Sequence, residues 1–113
     1  LEGEDRRLIK STVEHLKYKI TKEDILEIVS EECGVKASQI LGRIREREIV
    51  NGRFIYCAIM NMSFGYTLER IGKIMDGRDH TTILHAIEQY KNRYRNEDTF
   101  RTTVNRIYQK LGI

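Results

Sequence analysis

The run Gly77-Arg78-Asp79-His80-Thr81-Thr82-Ile83-Leu84-His85-Ala86 constrains this chain more than any other stretch, because a glycine turn leads directly into a helix whose first residues are all polar. Upstream, Leu68, Ile71, Gly72 and Met75 fall at i, i+3, i+4 and i+7, an apolar stripe of helical period, and Thr67 stands where an N-cap belongs. Downstream, Ile83, Leu84, Ile87, Tyr90 and Tyr94 continue a second stripe. Two helices joined by Asp76-Gly77-Arg78-Asp79 make a helix-turn-helix. Gly77 supplies the positive φ of a sharp turn, and Asp79 is placed to cap the second helix.

The chemistry at the start of that second helix suits base recognition. In a recognition helix the N-terminal residues reach base edges, and here they are Asp79, His80, Thr81 and Thr82. Aspartate accepts from a cytosine amino group, histidine donates to guanine N7 or O6, and threonine offers a hydroxyl together with a methyl that packs on thymine. The backbone N–H groups of the first turn favour a phosphate, and Arg78 adds a charge beside them. The pattern alone equally admits a plain capped helix with a solvated His80.

The stretch from Ile71-Gly72 through Gly77-Arg78-Asp79-His80-Thr81-Thr82-Ile83-Leu84-His85-Ala86 resembles the signature of the C-terminal DNA-binding domain of the bacterial replication initiator family, the DnaA family. The resemblance continues upstream through Ile25 to Val29, Val35, Ile40-Leu41, the basic loop Arg43-Ile44-Arg45-Glu46-Arg47, and Ile49-Val50-Asn51-Gly52-Arg53, so that it covers roughly Ile20 to Tyr94. It implies an all-α, TrpR-like domain that binds double-stranded DNA at a short asymmetric site, the DnaA box, and serves replication initiation at an origin. By the resemblance, Arg53, Arg78, Asp79, His80, Thr81 and Thr82 read the major groove. Arg45 enters the adjoining minor groove.

The chain departs from the family pattern at four positions. Phe54 replaces a polar residue, usually glutamine; Gly52 stands where proline is common; Asn61 holds a position often occupied by lysine; Asp76 replaces the first glycine of a Gly-Gly pair. Losing polar or basic groups and gaining an acid is expected to weaken phosphate contact or shift the preferred box.

The basic loop has two readings. Arg43, Arg45, Arg47 and Arg53 gather within eleven residues, interrupted by Glu46 and Glu48. If the loop is extended, alternation puts Arg43, Arg45 and Arg47 on one side, an arginine comb with Arg43 and Arg47 on phosphates. If it is helical, Arg43 pairs with Glu46 and Arg45 with Glu48 in a solvated surface. A guanidinium suits the negative potential of a narrow A·T-rich minor groove, and with the resemblance this favours the DNA role for Arg45.

At 113 residues, with 40% hydrophobic and 33% charged residues, the chain has the composition of one globular domain with a modest core. A formal net charge of +3 permits nucleic-acid binding without demanding it. Proline is absent, no strand-like alternation recurs, and no apolar run reaches the roughly 18 residues of a membrane span. About six helices are expected. One runs near Asp5 to Lys19. Another is capped by Thr21 with Asp24 in a capping box and stops at Gly34; a turn covers Ser38 to Leu41. A long helix from about Ile49 to Met62 buries Ile55, Ala58, Ile59 and Met62 and presents Arg53 outward. After the helix-turn-helix, Asp98 caps a last helix carrying Val104, Ile107, Tyr108 and Leu111.

The organisation expected is residues 1–19 as a linker or N-terminal helix, with Leu1-Glu2-Gly3 as a cloning remnant, and residues 20–113 as the DNA-binding domain. By the resemblance, a parent protein carries an ATP-binding motor domain ahead of it. The chain itself lacks a GxxxxGK[ST] loop, and no ATP binding, cofactor or catalysis is expected of it. Cys33 and Cys57 are read as core residues of a cytoplasmic, nucleoid-associated protein, and the histidines as no metal set; His85 is read as packed or hydrogen-bonded. One monomer per site is expected. Two alternatives stay open: a stand-alone regulator or mobile-element protein, and a protein-interaction domain, which an exposed Phe54 in a flat apolar patch would favour. A hydrolase built on Asp79, His80 and Thr81 is disfavoured because consecutive helical residues point about 100° apart.

Overall fold

The computed structural model describes residues 20–113, so the helix expected near Asp5 to Lys19 lies outside the described residues. Among the described residues there are six α-helices and no strand: α1 Lys22–Cys33, α2 Ala37–Leu41, α3 Arg47–Ala58, α4 Leu68–Ile74, α5 His80–Asn96 and α6 Asp98–Leu111. A π-helical turn, Ile59–Ser63, extends α3.

The helix ends follow local chemistry. Thr21 and Asp24 form the expected capping box, at 3.1 and 3.0 Å, and α1 ends at Gly34. Thr67 accepts from the Arg70 backbone N–H at 3.2 Å and starts α4. α6 begins one residue earlier than a cap at Asp98 would allow. Glu97 is its N-cap, without a side-chain cap bond, and the Asp98 carboxylate instead accepts from Arg101 at 2.9 Å.

α3 is the central element. Its Ile49, Ile55, Tyr56, Cys57 and Ala58 are buried, and it packs against α1, α2 and α5. Ile25 and Val29 of α1, Ile40 of α2, Ile59 and Met60 of the π-turn, Ile71 of α4 with Met75 after it, Ile83, Ala86, Ile87 and Tyr90 of α5, and Phe100, Val104, Ile107 and Leu111 of α6 share the core with α3. Each large apolar side chain among them stabilises the fold by about 1.5–3 kcal/mol through removal from water. α3 begins at Arg47, two residues before the expected start.

Two apolar residues depart from the expected stripes. Met62 is 51% exposed although its spacing from Ile55, Ala58 and Ile59 suits an α-helical face. The cause is the π-turn, in which the Phe64 N–H reaches the Ile59 carbonyl and each turn holds more residues, so the α-helical register is lost before Met62. Asn61 ties the turn off by donating to the Tyr66 carbonyl at 2.8 Å. Leu84 is 44% exposed, because α5 buries the line Ile83, Ala86, Ile87 and Tyr90 and leaves Leu84 beside it.

The link between α4 and α5 is a backbone contact. The Arg78 N–H donates to the Gly72 carbonyl at 2.8 Å, and a Cβ added to Gly72 would lie 2.1 Å from the Arg78 carbonyl oxygen. No other residue fits there. Asp76 and Gly77 turn the chain with φ of 62° and 67°, so the residue replacing the family's first glycine adopts a left-handed conformation that aspartate tolerates better than most residues.

Candidate nucleic-acid interface

α5 opens with its first turn in solvent. Asp79 is the N-cap, with φ −65° and ψ 149°, and its carbonyl accepts from the Thr82 and Ile83 N–H groups. Its side chain makes no cap bond and instead lies 2.9 Å from Nδ1 of His80. The 100° separation applies between helical residues, and the extended backbone at Asp79 is what lets the carboxylate turn onto its neighbour. Thr81 and Thr82 are exposed, as are Asp79 and His80.

Beside this turn a groove of about 280 Å³ runs between the loop that follows α2 and the face of α5. Cys57, Met75, Ile83 and Ala86 form its buried floor, Arg53 and Arg78 are half-buried, and Arg43, Arg45, Thr82 and His85 are its exposed rim. The loop arginines, far from α5 in sequence, thus meet the helix-turn-helix in space. His85 is exposed here, not packed: it follows Thr81 by four residues and Thr82 by three, which puts it on the same face of α5. That spacing was the available signal for it.

The basic loop is neither the comb nor the helical ion-pair array. Residues 43–46 have no regular structure and Arg47 is already the first residue of α3. Arg43 turns to Asp76, with Nε 3.1 Å from the carboxylate and Nη2 donating to the Asp76 carbonyl at 3.1 Å. Arg47 pairs with Glu97 at the α5–α6 junction, in a separate pocket lined also by Glu48 and Asn51. Arg45 is exposed on the groove rim and, among the described residues, pairs with no carboxylate.

Arg53, expected to point outward, folds back instead. Its Nε donates to the Ile40 carbonyl at 2.9 Å and its Nη2 to the Gln39 and Ile44 carbonyls at 3.0 Å each. Arg78 donates from Nη1 to the Leu41 carbonyl at 3.1 Å and the Met75 carbonyl at 2.7 Å, and from Nη2 to the Gly42 carbonyl. Burial lowers the pKa of both guanidiniums, and nearby positive charge, Arg78 on Arg53 and Arg43 on Arg78, lowers them further. Arginine nevertheless stays protonated in proteins.

Phe54 is half-buried against the core, with the Arg93 guanidinium 4.9 Å above its ring. Asn51 and Glu97 hold that guanidinium from the other sides. The flat exposed aromatic patch that a retargeted interaction surface needs is therefore absent at Phe54. Burial pushes the Cys57 thiol up to about 12 and the half-buried Cys33 up to about 11. Among the described residues no cluster of three His, Cys, Asp or Glu side chains is placed to hold a metal ion. Nor is any helix long and apolar enough to cross a membrane.

Comparison with known proteins matches residues 22–89 to the family described as bacterial dnaA protein helix-turn-helix. The relatives include the chromosomal replication initiator protein DnaA of Ureaplasma parvum serovar 3, 40% identical over 74 residues, which is 66% of this chain and 16% of that protein. The protein of the same name from Thermomicrobium roseum is 30% identical over 96 residues, 85% of this chain and 21% of its own length. That of Nautilia profundicola is 29% identical over 111 residues, 96% of this chain and 25% of its own length. The chain thus spans a quarter or less of these relatives. With α1 to α4, the turn and the first ten residues of α5 inside the matched residues, the chain belongs to the bacterial DnaA helix-turn-helix family.

Proposed function

We propose that this chain binds double-stranded DNA sequence-specifically at a DnaA-box-like site, as the DNA-anchoring part of a replication initiator. The observation that carries this reading is one groove rimmed by the loop arginines Arg43 and Arg45 and by Thr82 and His85 of α5, beside the exposed first turn of that helix. An exposed, polar helix start fits the major groove, and a guanidinium to one side of it fits the adjoining minor groove.

In this reading Asp79, His80, Thr81 and Thr82 meet base edges. The Asp79 carboxylate beside Nδ1 orients the His80 ring, and Nε2 is the nitrogen offered to the bases. Arg45 enters the A·T-rich minor groove. Arg53 and Arg78 carry positive charge at the groove's inner edge on the major-groove side, and His85 extends the reading face by one turn. Arg43 and Arg47 contact phosphates, each exchanging its present carboxylate, Asp76 or Glu97, for the DNA backbone. The module binds as a monomer on each site, in the cytoplasmic nucleoid, and the parent protein carries an ATP-binding motor domain.

Fluorescence anisotropy with a duplex carrying the consensus box and a scrambled duplex, measured across a salt series, tests the proposal. Tighter binding to the box that persists as salt rises supports base readout. Equal and steeply salt-sensitive binding to both duplexes would leave only backbone attraction, and absence of binding would overturn the reading.

A further inference from the structure

Arg53 and Arg78 come from different elements, yet their guanidiniums converge on one short segment. Between them they donate six hydrogen bonds, to the carbonyls of Gln39, Ile40, Leu41, Gly42, Ile44 and Met75. Five of those six acceptors belong to the end of α2 or to the loop that carries Arg43 and Arg45. α2 has only five residues; the Gln39 carbonyl also accepts from the Gly42 N–H at 3.2 Å, while those of Ile40 and Leu41 come too late in the helix for an intrahelical partner. Two forked cations at a helix C-terminus satisfy those carbonyls and complement the helix dipole.

The arrangement brings three positive groups, Arg43, Arg53 and Arg78, close enough to repel one another in a half-buried setting. Charge alone would be served better by arginines spread over the surface. The fork geometry has a different product: each guanidinium bonds two or more carbonyls at once, which ties the loop to α3 and to the turn before α5. Arg78 immediately precedes the N-cap of α5, and its third acceptor, Met75, lies just beyond α4. A single side chain therefore touches both halves of the helix-turn-helix connection and the basic loop.

We propose that Arg53 and Arg78 are positioning residues that lock the basic loop to the helix-turn-helix, so that Arg45 and the first turn of α5 present themselves to DNA as one preorganised unit with a fixed separation. The inference rests on the DNA-binding reading above. Its consequence is that minor-groove and major-groove recognition are coupled: loosening the clamp on the loop degrades what Arg45 reads, without any change at Arg45. Arg45 can then reach only the base pairs at one set distance from those read by α5.

The test compares Arg78→Lys, which keeps the charge and removes the fork, with Arg45→Ala and with the double variant, and repeats the comparison with Arg53→Lys. Binding is measured to the box, to a box whose minor-groove A·T segment is replaced by G·C, and to the scrambled duplex. Each single variant should lose about tenfold in discrimination between the first two duplexes, the scale of one misread base pair. The double variant should match Arg45→Ala. Order parameters from NMR relaxation of the free protein provide a reading that needs no DNA: residues 43–46 should be near 0.85 in the parent chain and below about 0.6 in either lysine variant.

Losses that multiply in the double variant would overturn the inference, because they would mean that Arg78 acts on DNA independently of Arg45. So would lysine variants whose loop stays as rigid as in the parent. Failure of the parent chain to distinguish box from scrambled duplex is a separate result that sinks the DNA reading, and the order parameters would then decide the clamp alone. Should Arg78→Lys not fold, Arg53→Lys, whose fork lies wholly on the α2 and loop carbonyls, carries the same comparison.

Discussion

Asp76 holds Arg43 twice, through its carboxylate at 3.1 Å from Nε and through its backbone carbonyl at 3.1 Å from Nη2. The contact joins the helix-turn-helix turn to the basic loop with a residue that has φ 62°, where glycine is the less strained choice. In the DNA reading, Arg43 leaves this pair to reach phosphate, and the freed Asp76 carboxylate takes up a cation beside the duplex, offsetting the counterion that Arg43 releases. Asp76→Gly should therefore bind DNA more tightly at low salt and steepen the log–log salt dependence by about 0.9, the value of one phosphate contact. Anisotropy titrations at four salt concentrations measure this; an unchanged slope would mean that Arg43 reaches no phosphate even when released.

His80 and Thr81 sit exposed at the start of α5 with little role in packing. Replacing either with alanine should leave the thermal midpoint unchanged, cost about 1–3 kcal/mol in binding to the box, and relax preference at one base pair. Competition with a panel of single-base box variants reads the second effect. A His80→Ala protein with full selectivity would remove His80 from the reading set.

Gly72→Ala separates a packing argument from a propensity argument. Inside a helix, alanine ordinarily stabilises by about 1 kcal/mol relative to glycine. Here its Cβ would fall 2.1 Å from the Arg78 carbonyl oxygen, a backbone atom that moves only with the turn. The variant should instead be destabilised, by about 1–3 kcal/mol, the usual scale of overpacking. Urea denaturation followed by circular dichroism gives the sign, and the sign is the test.

The buried thiols predict how stability responds to alkali. Cys57 and Cys33 are raised by burial to about 12 and about 11, above the 9.0 of a free thiol. Below pH 9 both thiols are protonated in folded and unfolded chains, so their contribution is fully present. Above it the unfolded chain releases these protons while the folded chain retains them, and stability falls as pH rises from 9 toward 12. Tyr56 and Tyr90, also raised by burial, push the same way at the upper end. Urea midpoints should be level between pH 7 and 9 and then decline, with a shallower decline in Cys57→Ala. At pH 8, iodoacetamide should spare Cys57 in the folded chain.

Much of the fold was legible because its signals are local. Thr21 with Asp24, Thr67 and Gly34 terminate helices through bonds to residues three or four positions away, and the sequence carries that spacing openly. Met62 was misplaced because a π-turn changes the number of residues per turn without any compositional mark. The loop was harder still. Arg43 finds its acid 33 residues away and Arg47 finds Glu97 across 50, so pairing within the loop was the wrong scale on which to look for partners. The inward turn of Arg53 and Arg78 was equally hidden: a guanidinium that serves carbonyls looks, in sequence, the same as one that serves phosphate. The exposure of His85 was legible: four residues after Thr81 and three after Thr82, it shares their polar face of α5.

The close approach of Gly72 to Arg78 is made by main-chain atoms, as is the hydrogen bond beside it. The angle between α4 and α5 is therefore set by main-chain atoms and by the lack of a side chain at Gly72, whereas residues 79–82 contribute exposed side chains to the surface. Shape and preference are thus inherited separately. In the DNA-binding reading proposed above, substitutions across those four positions would exchange one target sequence for another while the scaffold that presents them keeps its dimensions, which would leave specificity free to diverge faster than geometry.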